Sequence, residues 1–103
     1  MISNNIFPIS ISFLNAPGDA HDDNVDVVVM LSNGERRTVT FFTLNNIKRL
    51  MTQFEQSGEC LGGLYFWAKE MVVVRDLKEE TIHEVVNGMV SSGEYQHVYG
   101  ISQ

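Results

Sequence analysis

Apolar and polar residues alternate without a break over "PISISFL" (Pro8 to Leu14), with Ile9, Ile11 and Phe13 on one side and Ser10 and Ser12 on the other. A period of two is that of a strand with one face in a core and one in water. "NAPGDAHDDN" follows as a polar loop, and its Pro17-Gly18 pair is a turn signal. "VDVVVML" (Val25 to Leu31) and "RRTVTFF" (Arg36 to Phe42) are dense in β-branched and aromatic residues, which pack well on a pleated surface. Between them "SNGE" carries Asn33-Gly34, two residues that tolerate positive φ, so a hairpin is predicted.

The period then changes. In "TLNNIKRLMTQFEQSG" the residues Leu44, Ile47, Leu50, Met51 and Phe54 share one helical face, while Asn45, Lys48, Arg49, Thr52 and Glu55 fall elsewhere. Thr43 is placed to cap this helix and Gly58 to end it. "LYFWAKEMVVVRD" has apolar residues at both parities. Two short strands are predicted, Leu64 to Ala68 and Met71 to Arg75, folded at Lys69-Glu70, with a single bulged strand as the alternative.

"DLKEETIHEVVNGMVSSG" is a second helix, opened by Asp76 with Glu79 in a capping-box-like spacing and closed by Gly93. Its inward stripe is Leu77, Ile82, Val85, Val86, Met89 and Val90. Gly88 is costly by propensity, and close packing on the sheet is the expected reason for it. "EYQHVYGISQ" forms a tail, a last strand or turn that packs Tyr95, Val98 and Tyr99. The order β-β-β-α-β-β-α predicts an α+β fold: an antiparallel sheet of about five strands with two helices packed on one face.

Length and composition add bounds. The 103 residues are expected to form one domain, 1–103, which is enough to bury a core without disulfides or metals. A single cysteine cannot form an intramolecular disulfide, which fits a reducing compartment. "MISNNIFPISISFLNA" lacks the basic start and continuous apolar run of a secretion signal, and no run is long enough to span a bilayer. The expected location is the cytoplasm, with no membrane partner.

Charge narrows the choice of partner. Thirteen acidic residues against seven Lys and Arg give a net charge of −6. Neutralising phosphates needs clustered cations, so nucleic acid is not the expected ligand. An acidic surface does speed encounter with a basic macromolecule. "DAHDDNVD" gathers Asp19, Asp22, Asp23 and Asp26 around His21. These carboxylates have the chemistry to ligate a hard cation, yet the spacing is not that of an EF-hand. An acidic loop is the commoner outcome of such a cluster, and between it and a metal site stands a third reading, an acidic contact patch that docks against lysines and arginines of a partner.

Glu79, Glu80 and Glu84, with His83 among them, form a second acidic ridge, without the His-Glu-x-x-His order of a zinc protease. In "LYFWA", alternation puts Tyr65 and Trp67 on one face and Leu64, Phe66 and Ala68 on the other. One set turns inward. The other is either an exposed aromatic pair of the kind that anchors interfaces, or buried under helices and tail. Cys60 is the one nucleophile of note, but His21, His83 and His97 are remote in sequence and no motif frames it. No catalytic residue and no cofactor is therefore expected. A small enzyme or sensor using Cys60 with a histidine, and a structural or adaptor subunit associating through Pro8 to Leu14, stand as the alternatives.

From Phe41 to Tyr95 the chain resembles small acidic bacterial immunity proteins of contact-dependent growth inhibition and related polymorphic toxin systems. The points of similarity are "YFWAKEMVVVRDL" after a helix ending in "SGE", and a second "SGE" after the last helix. The resemblance implies a role and no residue assignments. Such proteins bind one cognate toxin domain in the cytoplasm and block its active site, and many of those toxins are basic nucleases, some ribonuclease-like. The implied state is a monomer or a one-to-one heterodimer with the toxin. Residues then expected to touch the partner, on their own chemistry, are Asp19, Asp22, Asp23, Asp26, Tyr65, Trp67, Glu79, Glu80 and Glu84.

Overall fold

The computed structural model describes residues 5–102. At its centre β2 (Asn24–Leu31) and β3 (Arg36–Thr43) pair antiparallel, from Asn24 opposite Phe42 to Met30 opposite Arg36. The predicted hairpin is there, and its turn rests on one glycine. The Gly34 amide donates to the Leu31 carbonyl (3.0 Å), and the Leu31 amide donates to the Glu35 carbonyl (2.9 Å). Gly34 takes a φ of 90° while Asn33 stays in the ordinary negative region. A tight turn followed by a left-handed glycine is the three-residue hairpin solution.

β1 (Pro8–Phe13) pairs antiparallel with β2 and ends the sheet on that side. Ile11 lies opposite Val29 and Phe13 opposite Val27, facing the core. A bulge between Pro8 and Ser10 makes Ile9 the extra residue, so Ile9 leaves that face and is exposed. The predicted apolar face is therefore one residue shorter than strict alternation implies.

The other edge of β3 is shared. β4 (Met71–Val74) runs parallel along Thr40–Thr43, and β5 (Gly100–Ser102) runs antiparallel along Arg36–Thr38. The fold is α+β with a five-stranded sheet, antiparallel in every pairing except that of β4. The exception follows from the connection: α1 (Leu44–Ser57) starts directly after β3, and a crossover containing a helix delivers a parallel neighbour.

Leu64 to Ala68, predicted as a strand, is irregular. Both sides of β3 are already occupied, and Phe66 instead meets the ring of Phe42 edge-on at 5.2 Å and stacks near Phe54 of α1 at 6.4 Å. The fifth strand comes from the tail as β5. Glu70, in the turn before β4, has a φ of 57° and joins the two short strands. Its carbonyl accepts from the Thr40 amide (2.9 Å) and its carboxylate from the Thr38 hydroxyl (2.9 Å), with Gly100 packed directly against that carboxylate.

α3 (Glu79–Ser92) and the short α4 (Tyr95–Val98) cover one face of the sheet. Ile82, Val86 and Val90 meet Val25, Val27, Val29 and Leu31 of β2 and Val39 and Phe41 of β3 in one core, closed by Leu77, Val74, Tyr95 and Tyr99. Burying each such side chain contributes roughly 1.5–3 kcal/mol. α1 does not share this face. Its contacts run through Phe66 to Phe42 and through Asn46, whose Oδ1 accepts from the Asn24 side-chain amide (2.9 Å), and both sheet residues point away from that core. α3 thus covers the core face, while α1 leaves the end of β3 and meets the sheet through Asn24 and, by way of Phe66, Phe42.

Helix ends follow local chemistry in part. Thr43 caps α1 by accepting from the Asn46 amide (3.2 Å), and Gly58 (φ 86°) and Gly93 (φ 85°) end α1 and α3. Lys78, without a side-chain cap, precedes α3, and Asp76, two residues before it, accepts the Lys78 amide (3.0 Å) in place of capping the helix. Gly88 faces open space, so no close approach explains it.

Arg37 is a buried cation in this core. It reaches Glu35 (3.0 Å) and the Tyr99 carbonyl (3.2 Å), with its guanidinium 5.1 Å from the Tyr95 ring centroid. A buried charge persists only when so supplied, and these contacts fasten the tail to β3. Among the described residues, no helix is long and apolar enough to cross a membrane.

Candidate functional site

Past the end of β3 the chain becomes an arm. The molecule measures 54 Å by 24 and 23 Å. An eight-residue strand of about 27 Å followed at once by a fourteen-residue helix of about 21 Å accounts for that length. The chain returns along α1 through α2 (Glu59–Gly63), a single turn wound left-handed. Cys60, Leu61 and Gly62 have φ of 50°, 55° and 71° with ψ of 48°, 44° and 29°. The Gly62 amide donates to the Gly58 carbonyl (3.2 Å) and the Leu64 amide to the Cys60 carbonyl (3.1 Å). Two non-glycine residues in this region cost roughly 1–2 kcal/mol each. Gly63 sits so tightly on the Met51 carbonyl of α1 that any β-carbon collides with it.

This turn and the loop after it present apolar groups to water: Leu61 is 73% exposed, Leu64 77%, Tyr65 47% and Trp67 66%. Of the two faces read from "LYFWA", Phe66 is the side chain that turns inward and Tyr65 and Trp67 turn out. Leu64 does not follow Phe66, because the segment is not a strand. The sequence carries no sign that Leu61 and Leu64 are exposed, since leucines among apolar residues read as core. The available signal was Gly62-Gly63, which marks a segment where the chain leaves regular structure.

The aspartate loop is tied into the opposite end of the arm and largely into itself. Asp19 accepts from the His21 amide (2.9 Å), and Asp23 accepts from the Gly18 and Asn24 amides (both 2.8 Å). Those two amides, Gly18 first, hold the Asp23 carboxyl below its ordinary range. Asp22 pairs with Arg49 of α1 (3.1 Å), and Asp26, on β2, accepts from the Thr40 hydroxyl (2.6 Å). Among the described residues no three His, Cys, Asp or Glu side chains are grouped as a metal ion needs.

Through the Leu77 amide, which donates to the Ala20 carbonyl (2.7 Å), the loop is fastened to the start of α3. There the Thr81 side chain and then the Lys78 amide lower the pKa of Asp76. Glu79, Glu80 and Glu84 stand exposed on the outer side of α3, without ion-pair partners among the described residues. The structure thus sets the expected contact residues in three places: Tyr65 and Trp67 on the arm, the aspartates at the sheet end, and the glutamates along α3. The loop and the beginning of the glutamate row are neighbours, while the aromatic pair belongs to the other side of the sheet.

Cys60 lies in the left-handed turn, and among the described residues its thiol has no hydrogen-bond partner, whereas His21, His83 and His97 sit in the aspartate loop, α3 and α4. A cleft of about 450 Å³ opens where β3 and β4 end, lined by His21, Thr43, Leu44, Asn45, Val73 and Arg75. No protein-family model, curated protein or solved structure matches the chain.

Proposed function

We propose that this chain is an inhibitory binding protein of the immunity type, which covers the working surface of a cationic toxin domain, in the first instance a nuclease, in a one-to-one complex. The observation that carries the reading is the exposure of Tyr65 and Trp67, with Leu61 and Leu64, on an arm held out from the sheet. Tyr and Trp dominate interface energetics when desolvated at the centre of a contact. The unpaired Glu79, Glu80 and Glu84 and the net charge of −6 supply attraction at a distance toward a positive phosphate-binding cleft. Blocking such a cleft needs complementarity and no turnover.

The test mixes the protein with the toxin domain encoded beside it and follows the fluorescence of Trp67, the chain's one tryptophan. Expected are a blue shift of emission, tight one-to-one binding that weakens as salt rises, and a loss of about 2 kcal/mol or more for Trp67→Ala. Absence of binding to any neighbour-encoded protein, or binding indifferent to both salt and Trp67→Ala, defeats the reading.

A further inference from the structure

Between the end of β1 and the start of α3 lies an open hollow of about 610 Å³, lined mostly by apolar side chains, Ile11, Phe13, Leu14, Pro17 and Leu77, with Asn15 and Glu79 also on its wall. An open acidic surface continues along α3, formed by Glu79, Glu80, His83, Glu84 and Asn87. Glu79 belongs to both. Phe13 of the first and His83 of the second stack, with centroids 6.5 Å apart, so the two form one trough with an apolar half and an acidic half. Among the described residues neither half is lined by Lys or Arg, and the three glutamates have no ion-pair partner.

The volume of the apolar half is that of a side-chain or ligand pocket. Glu80 and Glu84 are four residues apart and share one helix face, about 6 Å from one another. A simple polyamine satisfies the acidic half and leaves the apolar half wet. A neutral apolar group does the reverse. One occupant meets both demands: a peptide segment with a large apolar residue followed closely by lysine or arginine.

We infer that this trough receives a surface segment of the cationic protein partner, its apolar side chain between Phe13 and Leu77 and its cations against Glu79, Glu80 and Glu84. The inference deepens the proposed function by naming a docking site for the partner apart from the aromatic arm, and it rests on that reading for the partner's charge.

The experiment titrates the isotope-labelled full chain with three probes: a short peptide carrying leucine flanked by two lysines, the same peptide with the lysines replaced by glutamine, and spermine. Expected are amide shifts at Leu14, Leu77, Glu79 and His83 with the lysine peptide, and at least tenfold weaker binding of the glutamine peptide and of spermine. Glu79→Lys with Glu84→Lys, both at exposed positions, is expected to abolish the response, and Leu14→Asp to weaken it about tenfold.

No shift at millimolar lysine peptide, shifts confined to the arm, equal binding of spermine, or an unchanged response in the charge-reversed variant overturns the inference. The neighbouring toxin separates the two proposals. A complex that forms normally with the charge-reversed variant removes the trough and leaves the proposed function. Peptide binding without any toxin complex does the opposite.

Discussion

Two parts of this molecule use apolar side chains to different ends. In the layer made by β2, β3 and α3, Ile82, Val86 and Val90 of the helix are buried against valines of the sheet. In the arm, α1 is the more strongly amphipathic of the two long helices, yet its single buried residue is Asn46, and α2 buries none. A stripe of apolar residues states which side of a helix has something to gain from cover. Whether cover exists depends on what the rest of the chain can bring there. For α3 the sheet supplies it. For α1 only the returning turn and Phe66 do, so Leu61, Leu64, Tyr65 and Trp67 stay in water.

The contrast implies two separable stabilities, a global one set by the core and a local one for the arm. The largest expected effect is in the core: Phe41→Ala removes a fully buried ring and should cost about 3–5 kcal/mol, read as a loss of thermal midpoint for sheet and arm together. Next comes Glu35→Ala. Although Glu35 is partly exposed, it leaves the guanidinium of Arg37 short of its carboxylate, and a loss of about 1.5–3 kcal/mol in denaturant unfolding is expected.

Gly63→Ala should act on the arm alone. A φ of 86° and the Met51 carbonyl both oppose a β-carbon, so a cost of about 1–2 kcal/mol should emerge as faster amide exchange from α1 to Trp67 with the core's exchange unchanged. Equal acceleration in α3 would merge the two regions into one. Gly88→Ala fills open space on the outer side of α3 and should raise global stability by about 0.5–1 kcal/mol without changing exchange in the arm.

The smallest effect concerns pH. Asp23 is held below its ordinary range by the Gly18 amide and then the Asn24 amide. Its folded value is therefore the lower one, so its contribution is present above the unfolded carboxylate range and is lost as pH falls through the folded value. Exchange at Gly18 should quicken over that acidic window in the native chain and lose this dependence in Asp23→Asn.

The elements with strong local signals were legible in the sequence. Alternation, Gly34 and the Thr43 and Gly58 ends marked the hairpin and the first helix, and the stripe of α3 is the buried stripe. Candidate contact residues were legible as chemistry and not as positions. Tyr65 and Trp67 were open to either fate, and Asp22 and Asp23 read as a free patch until Arg49 and the Gly18 amide were seen beside them. Arg37 carried no sign of burial, because an Arg-Arg pair at a strand start reads as surface. The trough was invisible, since it joins residues from Ile11 to Asn87 that no local pattern relates.

What the amino-acid order fixed by itself is local: where the chain extends, coils and turns, and which side of each element seeks cover. Those preferences act over a few residues, through backbone sterics, caps and periodic burial. Tertiary structure alone decided that β4 and β5 share one edge of β3, that α3 lies on the sheet while α1 stands out from it, and that the arm's apolar groups remain uncovered. These outcomes depend on which edges and faces were already occupied when each segment was placed, a competition among distant segments that no single stretch encodes.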